Sequence, residues 1–425
     1  MNDVGNEYDV IVIGGGPAGS ATAGLLAKKG RRVLLLEKQK FPRYHIGESL
    51  LTGAIPALEE LGIFDRIPHL GGAVKKYGGT LRWGADKGTW DFRFADGSPY
   101  EYAFQLRRAD FDALLLARAR ELGVEVIEEA SVAAPILDGD RVTGVSYGTR
   151  AAPGVCTAGA RFTVDASGQA AVFGRWFDMI TWNEDFRNMA TWAYFQGAER
   201  YEGTKRGDIV TEHTDNGWFW CIPLSDGTTS VGHVSQMARS GKSRQEMADL
   251  FYAELAETTE VSRLLRHAFR ASEFRNTKDW SYTCDRIHGS GWALVGDAAA
   301  FVDPLLSTGM TLGLRAARGL VAAVDTTLTD PAAGAAAMNR YEENYRRVIT
   351  QILTFVRFFY ETKHHKEDYW AKAQDIIDPD RLRPRIRDFV TVMSGLNGLF
   401  ATEDEKQQYA LLKERIAQRI LSAAE

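Results

Sequence analysis

Cysteine is scarce in this chain. The three present, Cys156, Cys221 and Cys284, stand far apart, a spacing that fits neither a metal cluster nor a disulfide framework. No metal site is expected. The sequence also has no uninterrupted apolar run of about 18 residues, so no membrane partner is expected. No signal peptide precedes the first strand, and a cytoplasmic protein is the expectation. There is no surplus of positive charge either. The formal net charge is −5, which argues against nucleic acid as a partner. Internal repeats and low-complexity segments are absent. What is left is ordinary globular composition, 45% hydrophobic and 25% charged over 425 residues, enough chain for roughly two or three domains.

The strongest signal lies near the start. Tyr8-Asp-Val-Ile-Val-Ile runs into Gly14-Gly15-Gly16-Pro17-Ala18-Gly19 and then, past a small-residue stretch, into Leu34-Leu35-Leu36-Glu37. Val10 to Ile13 is a short apolar, β-branched run and reads as a buried strand. Gly14, Gly16 and Gly19 form G-x-G-x-x-G at its end. The first makes the tight turn, the second lets the backbone approach a pyrophosphate, and the third lets the next helix pack on the strand. Ala18, Ala21, Ala23 and Gly24 keep that helix thin, and Gly30 stops it. Val33 to Leu36 reads as a second strand. Glu37 follows Gly19 by 18 residues, where an acid holds a ribose hydroxyl. A lone glycine triplet is a weak signal. Here strand, turn, helix, second strand and acid are all present, so a dinucleotide site over 8–37 is expected.

Further along, Phe41-Pro-Arg-Tyr-His45-Ile-Gly47-Glu48-Ser49 reads as a loop, with a helix following from Ile55 to about Ile67. His45 and Glu48 are candidate catalytic groups. The favoured reading is a loop that wraps a cofactor, with Glu48 satisfied by backbone donors. Lys75 and Lys76 border an alternating run that reads as a strand, and Trp90 to Phe94 alternates too, giving a hairpin or small sheet. Composition alone makes both lysines solvated surface groups. Arg107 and Arg108 lead into a helix from Phe111 to about Leu122. Strands follow at 124–127 and 142–145, with a turn at Asp138-Gly139-Asp140. Arg161 to Asp165 is a strand ending in Asp165-Ala-Ser-Gly168, the kind of strand C-terminus where α/β folds place ligands. From about Trp182 to Ser281 aromatic alternation signals an antiparallel sheet with one face over a pocket, interrupted by a helix at 244–257. Trp292 to Gly296 is again a buried strand. Asp297 follows it, then a loop through Pro304, Leu306, Ser307, Thr308, Gly309 and Met310, then a small-residue helix from Thr311 to about Thr327. Such a Ser-Thr-Gly loop opening a helix offers backbone N–H groups to an anion. From Asp330 the chain reads as helical, with Ile352, Phe355, Phe358 and Phe359 on one stripe.

In this order the pieces resemble the flavin-dependent halogenases and, within the same p-hydroxybenzoate-hydroxylase-like superfamily, the flavin aromatic hydroxylases. Gly14-x-Gly16-x-x-Gly19, Asp165-Ala-Ser-Gly168 and Gly296-Asp297 match the superfamily motifs. The expected fold class is α/β, an FAD-binding doubly wound (Rossmann-like) domain with an inserted antiparallel-sheet substrate domain and a helical C-terminal region. The corresponding boundaries are 1–180 with 283–330 for the FAD domain, including a small sheet at about 74–105; 181–282 for the substrate domain; and 331–425 for the helices. The resemblance implies FAD rather than NAD as resident cofactor. Glu37 is then the ribose ligand, Arg108 of R-x-x-F-D the group beside the flavin, and Asp297 the ribityl or pyrophosphate ligand. Ala18, Ser49, Val132, Asp165, Gly168, Pro304, Gly309 and Met310 complete the expected cradle.

Two motifs separate the halogenases from the hydroxylases. Trp218-Phe-Trp220-Cys-Ile222-Pro223 matches W-x-W-x-I-P at every fixed position, and Lys76-Tyr-Gly-Gly-Thr-Leu-Arg-Trp-Gly84 matches K-x-G-G-T-x-R-W-G. Lys76, not Lys75, is thus at the position of the catalytic lysine. The resemblance extends over about residues 5 to 375 and is strongest to members that chlorinate phenols on carrier-protein-tethered substrates. Tryptophan halogenases carry a Glu just before the Ser-Thr-Gly loop, where this chain has Leu306. The tail after Trp370 is short for a phenol halogenase and weakly matched.

The implied reaction takes FADH2, O2 and chloride or bromide to hypohalous acid, with halide held at the Thr308 and Gly309 amides. The oxidant then travels between the domains to Lys76, which hydrogen-bonds it or forms a chloramine. Trp218, Trp220 and Pro223 wall that passage, with Leu306 and Ser307 at its end. A phenol or pyrrole is electron-rich enough to react without a Glu in place of Leu306. A single dinucleotide fingerprint favours a separate NAD(P)H-dependent flavin reductase as partner, beside a small aromatic substrate that is free or held on an acyl or peptidyl carrier protein. The alternatives are a flavin hydroxylase or another FAD oxidoreductase.

Overall fold

The computed structural model describes residues 8–86, 88–150, 154–236, 244–377, 379–380 and 384–396. The expected helical tail beyond 396 lies outside these residues. Two large sheets and a set of helices make up the α/β architecture. The first sheet grows from the opening unit. Strands β1 (Tyr8–Ile13), β2 (Val33–Glu37), β7 (Glu125–Glu128), β10 (Val155–Asp165) and β18 (Trp292–Leu294) run parallel in the order β18-β10-β1-β2-β7. All of β2 and the last four residues of β1 are buried, as a parallel sheet covered by helices requires. Helix α1 (Pro17–Lys28) is the first crossover and packs on α3 (Arg108–Glu121) and α7 (Gly309–Thr329). Gly19 makes that close approach feasible, because a Cβ there would lie 1.9 Å from the Gly14 carbonyl oxygen. Gly14 itself turns at φ +99°, a region only glycine enters freely.

Strand β8 (Ala130–Asp138) and β9 (Arg141–Thr149) form a hairpin whose second strand pairs with the start of β10. The sequence reading recognises the turn and part of β9 but not β8, where Pro135 interrupts the pattern. The helix expected to reach Ile67 stops early. Helix α2 (Ile55–Leu61) ends at Gly62, which takes a left-handed φ of 70°, and a 3₁₀ turn over Phe64–His69 follows.

The second sheet has nine strands. Its path comprises β19 (Ala300–Phe301), β16 (Arg275–Cys284), β11 (Ile180–Gln196), β14 (Thr228–Gln236), β13 (Gly217–Pro223), β12 (Ile209–Thr214), β4 (Gly78–Arg82) and β5 (Trp90–Arg93). A short β15 (Phe269–Arg270) pairs with β11. Here the strands of the 74–105 region depart from their expected place beside the cofactor fold. Strand β4 joins β12 in parallel over Gly79–Arg82 and Ile209–Glu212, so β4 and β5 extend the large sheet. Strand β3 (Val74–Lys76) instead forms a two-stranded ribbon with β6 (Ala103–Gln105). Local alternation identifies strands and leaves their partners open.

Each strand of the second sheet presents alternate residues to opposite faces. Phe219 and Cys221 of β13 face a small core closed by α5 (Arg244–Ala256) and α6 (Glu260–Leu265), with Phe195, Val231 and Phe251. Trp218, Trp220 and Ile222 face the other way, into the main core. At the end of the described chain, α8 (Pro331–Tyr360), α9 (Lys366–Ile377) and α10 (Arg385–Met393) pack over β4 and β5. The short α4 (Val172–Trp176) and β17 (His288–Gly289) complete the elements.

Candidate active site

A cavity of about 910 Å³ lies between the two sheets. The opening unit supplies one end of it. Gly14, Gly16 and Ala18 line the wall, and a Cβ on Gly16 would find only the Arg43 guanidinium, at 3.7 Å. The turn thus leaves open space where a pyrophosphate is expected. Glu37 is buried at the same wall, held by the Gly15 amide at 2.6 Å and the Gln39 amide at 2.8 Å. Gly19 does not reach the cavity; its place in the helix–strand contact is structural.

The middle of the cavity is lined by Arg108, Val132, Gly168 and Asp297. Arg108 grips Asp112 through two bonds of 2.8 and 2.9 Å and donates to the Ile46 carbonyl at 2.8 Å. Asp297 is buried, and loss of solvent pushes its carboxyl up to about 6, with Arg108 opposing. Asp165 is placed differently from the expectation. It does not line the cavity; its two oxygens accept from the Ser167 and Phe173 amides at 2.9 and 2.7 Å. A carboxylate at a buried strand end is satisfied by the turn that follows, so Asp165 shapes the Gly168 turn.

Pro304, Ser307, Thr308, Gly309 and Met310 bring the N-terminus of α7 to the cavity. Asp303 shapes this loop by accepting from the Leu305 amide at 2.9 Å, and Ser307 sits at φ 56°. Thr308 makes no side-chain cap, so the first amides of a 21-residue helix remain open to an anion.

Trp218 and Trp220 line the cavity from β13. Pro223, expected beside them, does not; it is the last residue of β13, and Ile222 takes the lining position that strand alternation allows. Each indole N–H has a partner. Trp218 Nε1 donates to the Tyr360 hydroxyl at 2.9 Å, and that hydroxyl donates to Asp303 Oδ2 at 2.9 Å. Asn188 Nδ2 reaches the same oxygen at 3.1 Å, and burial pushes the Asp303 carboxyl up to about 6. Trp220 Nε1 donates to Ser230 Oγ at 3.2 Å. Sequence reasoning missed Asn188, Asp303 and Tyr360. Tyr360 directly follows the stripe read from the sequence but was not part of it.

Glu48 corrects an expectation. Its backbone neighbours are taken by β6, through Leu50 N to Phe104 O and Leu106 N to Glu48 O at 2.9 and 2.8 Å. The side chain turns to the second sheet and accepts from the Tyr194 hydroxyl at 2.6 Å. Burial pushes its carboxyl up. It lines the cavity, and its Oε2 is among the buried oxygens without a hydrogen bond. His45 borders the cavity while remaining open to solvent, with Nδ1 2.6 Å from the Ile46 carbonyl and 3.1 Å from the Arg108 guanidinium, and burial with Arg108 brings its imidazole down to about 4.

The two adjacent lysines part company. Lys75 is exposed, over the Tyr102 ring at 4.2 Å. Lys76 is 1% exposed, and its Nζ donates to Ser49 Oγ at 2.8 Å. Burial brings the Lys76 amine down to about 7, with Asp208 opposing. Lys76 borders a separate chamber of about 10 Å³ that also touches Leu306 and Phe359. Ile209 and Ser307 line both this chamber and the large cavity, and Ser49 lines the large cavity while holding Lys76. The chamber is thus next door to the proposed anion site. Among the described residues no group of metal-ligating side chains is found, and no helix is long and apolar enough to cross a membrane.

Comparison with known proteins agrees with this geometry. Residues 95–418 match the tryptophan halogenase family, and residues 9–175 match the FAD-dependent oxidoreductases. A tryptophan 2-halogenase of Chondromyces crocatus is 33% identical over 86% of this chain and 70% of its own length. A 1H-pyrrole-2-carbonyl-[peptidyl-carrier protein] chlorinase of Pseudomonas fluorescens is 30% identical over 84% of both. In solved structures, the myxobacterial chondrochloren halogenase superposes with a TM-score of 0.78 at 32% identity, covering 91% of this chain and 97% of that one. A flavin-dependent brominase gives 0.80 at 26%, covering 98% and 99%. With the glycine turn, the open α7 N-terminus, the paired tryptophans and the buried lysine arranged as they are, this chain belongs to the flavin-dependent halogenases, enzymes with FAD as cofactor.

Proposed function

We propose that this enzyme chlorinates or brominates an electron-rich ring, a phenol or a pyrrole, free or held on a carrier protein. The observation that carries this reading is the Lys76 chamber. It holds a buried amine, shares Ile209 and Ser307 with the cofactor cavity, and offers no carboxylate among its described lining residues. Ring halogenation forms a cationic intermediate. A chamber faced by Leu306, Leu305 and Phe359 sets no carboxylate against that cation, which favours a ring that carries the charge itself, as phenols and pyrroles do.

The residues around the large cavity fit FAD. Glu37 and the Gly14–Gly16 turn would hold its adenosine and pyrophosphate, and Arg108 and Asp297 would lie along its ribityl and ring portions. Bound and reduced, FAD supplies with O2 the oxidising power that turns halide into hypohalous acid. The α7 amides at Thr308 and Gly309 hold the halide. The Trp218–Trp220 face keeps the aromatic substrate out of the cofactor cavity, and Ser49 holds Lys76 at the boundary. With burial lowering the basicity of its amine, Lys76 is equipped both to hydrogen-bond hypohalous acid and, in its neutral form, to attack its halogen. Reducing equivalents come from a separate NAD(P)H-dependent flavin reductase.

The test is product mass from reactions with bromide, a flavin reductase and a panel of phenols and pyrroles, both free and carrier-bound. A gain of bromine on at least one of them is expected. Hydroxylated product without halogen from the whole panel would favour the hydroxylase alternative.

A further inference from the structure

The chamber beside Lys76 has a volume of about 10 Å³, room for one water-sized species. A benzene ring occupies cavities of about 150 Å³. A single water-sized species therefore fits beside Lys76 in this structure, and an aromatic ring does not. One wall has to move before ring and amine can meet.

Most of the walls are tied. Gly79, Thr80 and Leu81 belong to β4, paired on one side with β12 and on the other with β5. Ile209 and Thr211 belong to β12, paired with β13 and β4. Leu305 to Ser307 are fastened by Asp303 and by the Ser307 amide on the Pro304 carbonyl at 2.9 Å. Phe359 sits in a 30-residue helix. Its carbonyl accepts from Trp83 Nε1 at 2.7 Å, and its ring packs on Trp83, Phe355 and Tyr369. Phe92 packs on Phe94 and Phe389.

Met393 is different. It is the last residue of the nine-residue α10, is 6% exposed, and has an unbranched thioether side chain that rotates about three bonds. Turning it aside breaks no backbone hydrogen bond. No residue of α10 lines the cofactor cavity. A ring entering past Met393 would thus reach Lys76 without meeting the flavin.

Building on the proposed halogenation of an aromatic ring, we propose that Met393 is the movable plug of the Lys76 chamber and sets the size of ring that reaches it. Oxidant enters past Ile209 and Ser307, and the ring enters past Met393. Met393→Ala and Met393→Trp test this in opposite directions, with FAD affinity and melting temperature measured for both. Met393→Trp is expected to lower kcat/KM for a phenol at least tenfold while FAD binding and peroxide release continue. Met393→Ala is expected to lower KM severalfold and to admit a naphthol that the wild type halogenates poorly. Calorimetric binding of the same phenol and naphthol to FAD-loaded, halide-free protein should follow the same order without turnover. Wild-type kcat/KM and wild-type ring binding in both variants would overturn the plug, and Met393→Ala decides alone should Met393→Trp fail to fold. A wild type that binds these rings in the expected order yet halogenates none would count against the proposed reaction and leave the plug standing.

Discussion

Lys76 and Lys75 differ by one position and by nearly everything else. In an extended segment neighbours point to opposite faces, so Lys75 reaches solvent and Lys76 the interior. The catalytic assignment predicts that Lys76→Ala and Lys76→Arg lose halogenated product while hydrogen peroxide is still released, and that Lys75→Ala is nearly neutral. Arginine's planar fork cannot reproduce a compact amine held on one hydroxyl. Chlorinated product and peroxide, measured together, check this; a Lys76→Ala enzyme chlorinating at close to wild-type rate would remove the assignment. Burial has a second consequence. The folded amine titrates at about 7 and the unfolded one at the ordinary 10.5. Between those values the unfolded chain binds more protons, so stability rises with pH across the window. Lys76→Met lacks this titration. Its melting temperature should exceed the wild type's most at pH 7 and below, and the gap should close toward pH 10.5. Parallel melting curves from pH 6 to 10.5 would contradict the buried, shifted lysine.

At the scale of the element, the glycines of the first turn do separate jobs. Gly16 has φ −68° and spare room toward the cavity. Gly16→Val should therefore leave the apoprotein's melting temperature close to wild type and abolish FAD binding, read by flavin fluorescence. Retained wild-type FAD affinity would sink the cofactor site. Gly19→Ala should do the reverse. Its Cβ would collide with the Gly14 carbonyl, an overpacking that costs about 1–3 kcal/mol or more, and unfolding by denaturant measures it. Strand β13 shows the same division by face. Trp218, Trp220 and Ile222 look into the cavity while Phe219 and Cys221 support the α5 side, so W-x-W-x-I records one wall of a pocket at period two.

For the whole molecule, the architecture separates three tasks. The parallel sheet and the first turns of α1 and α7 line one end of the large cavity. The large cavity and the Lys76 chamber lie on the same face of the second sheet and meet at Ile209, and α8 and α10 add Phe359 and Met393 to the chamber wall. The sequence contains a single dinucleotide fingerprint, and its turn lines that end of the cavity. Stopped-flow mixing of FAD-loaded enzyme with NADH should accordingly show no rapid bleaching of the flavin. Fast bleaching stimulated by a phenol would point to a single-component hydroxylase.

The sequence by itself determined what is local. The strand–turn–helix–strand–acid unit is contiguous, each of its residues acts within its own turn, and the folded chain shows it with Glu37 on the Gly15 amide. Strand alternation was likewise legible in β13 and at Lys75–Lys76, because backbone geometry alone sends neighbours to opposite faces. Tertiary structure decided whatever depends on partners from distant segments. Asp165 and Pro223 matched motifs but were turned from the cavity by their hydrogen bonds and strand register. Glu48 finds its partner in Tyr194 of the distant β11. Trp218, Tyr360 and Asp303 meet from β13, α8 and a loop. The Lys76 chamber has its size because β4, β12, α8 and α10 pack at one point, and packing volume is a property of side chains that no local pattern brings together.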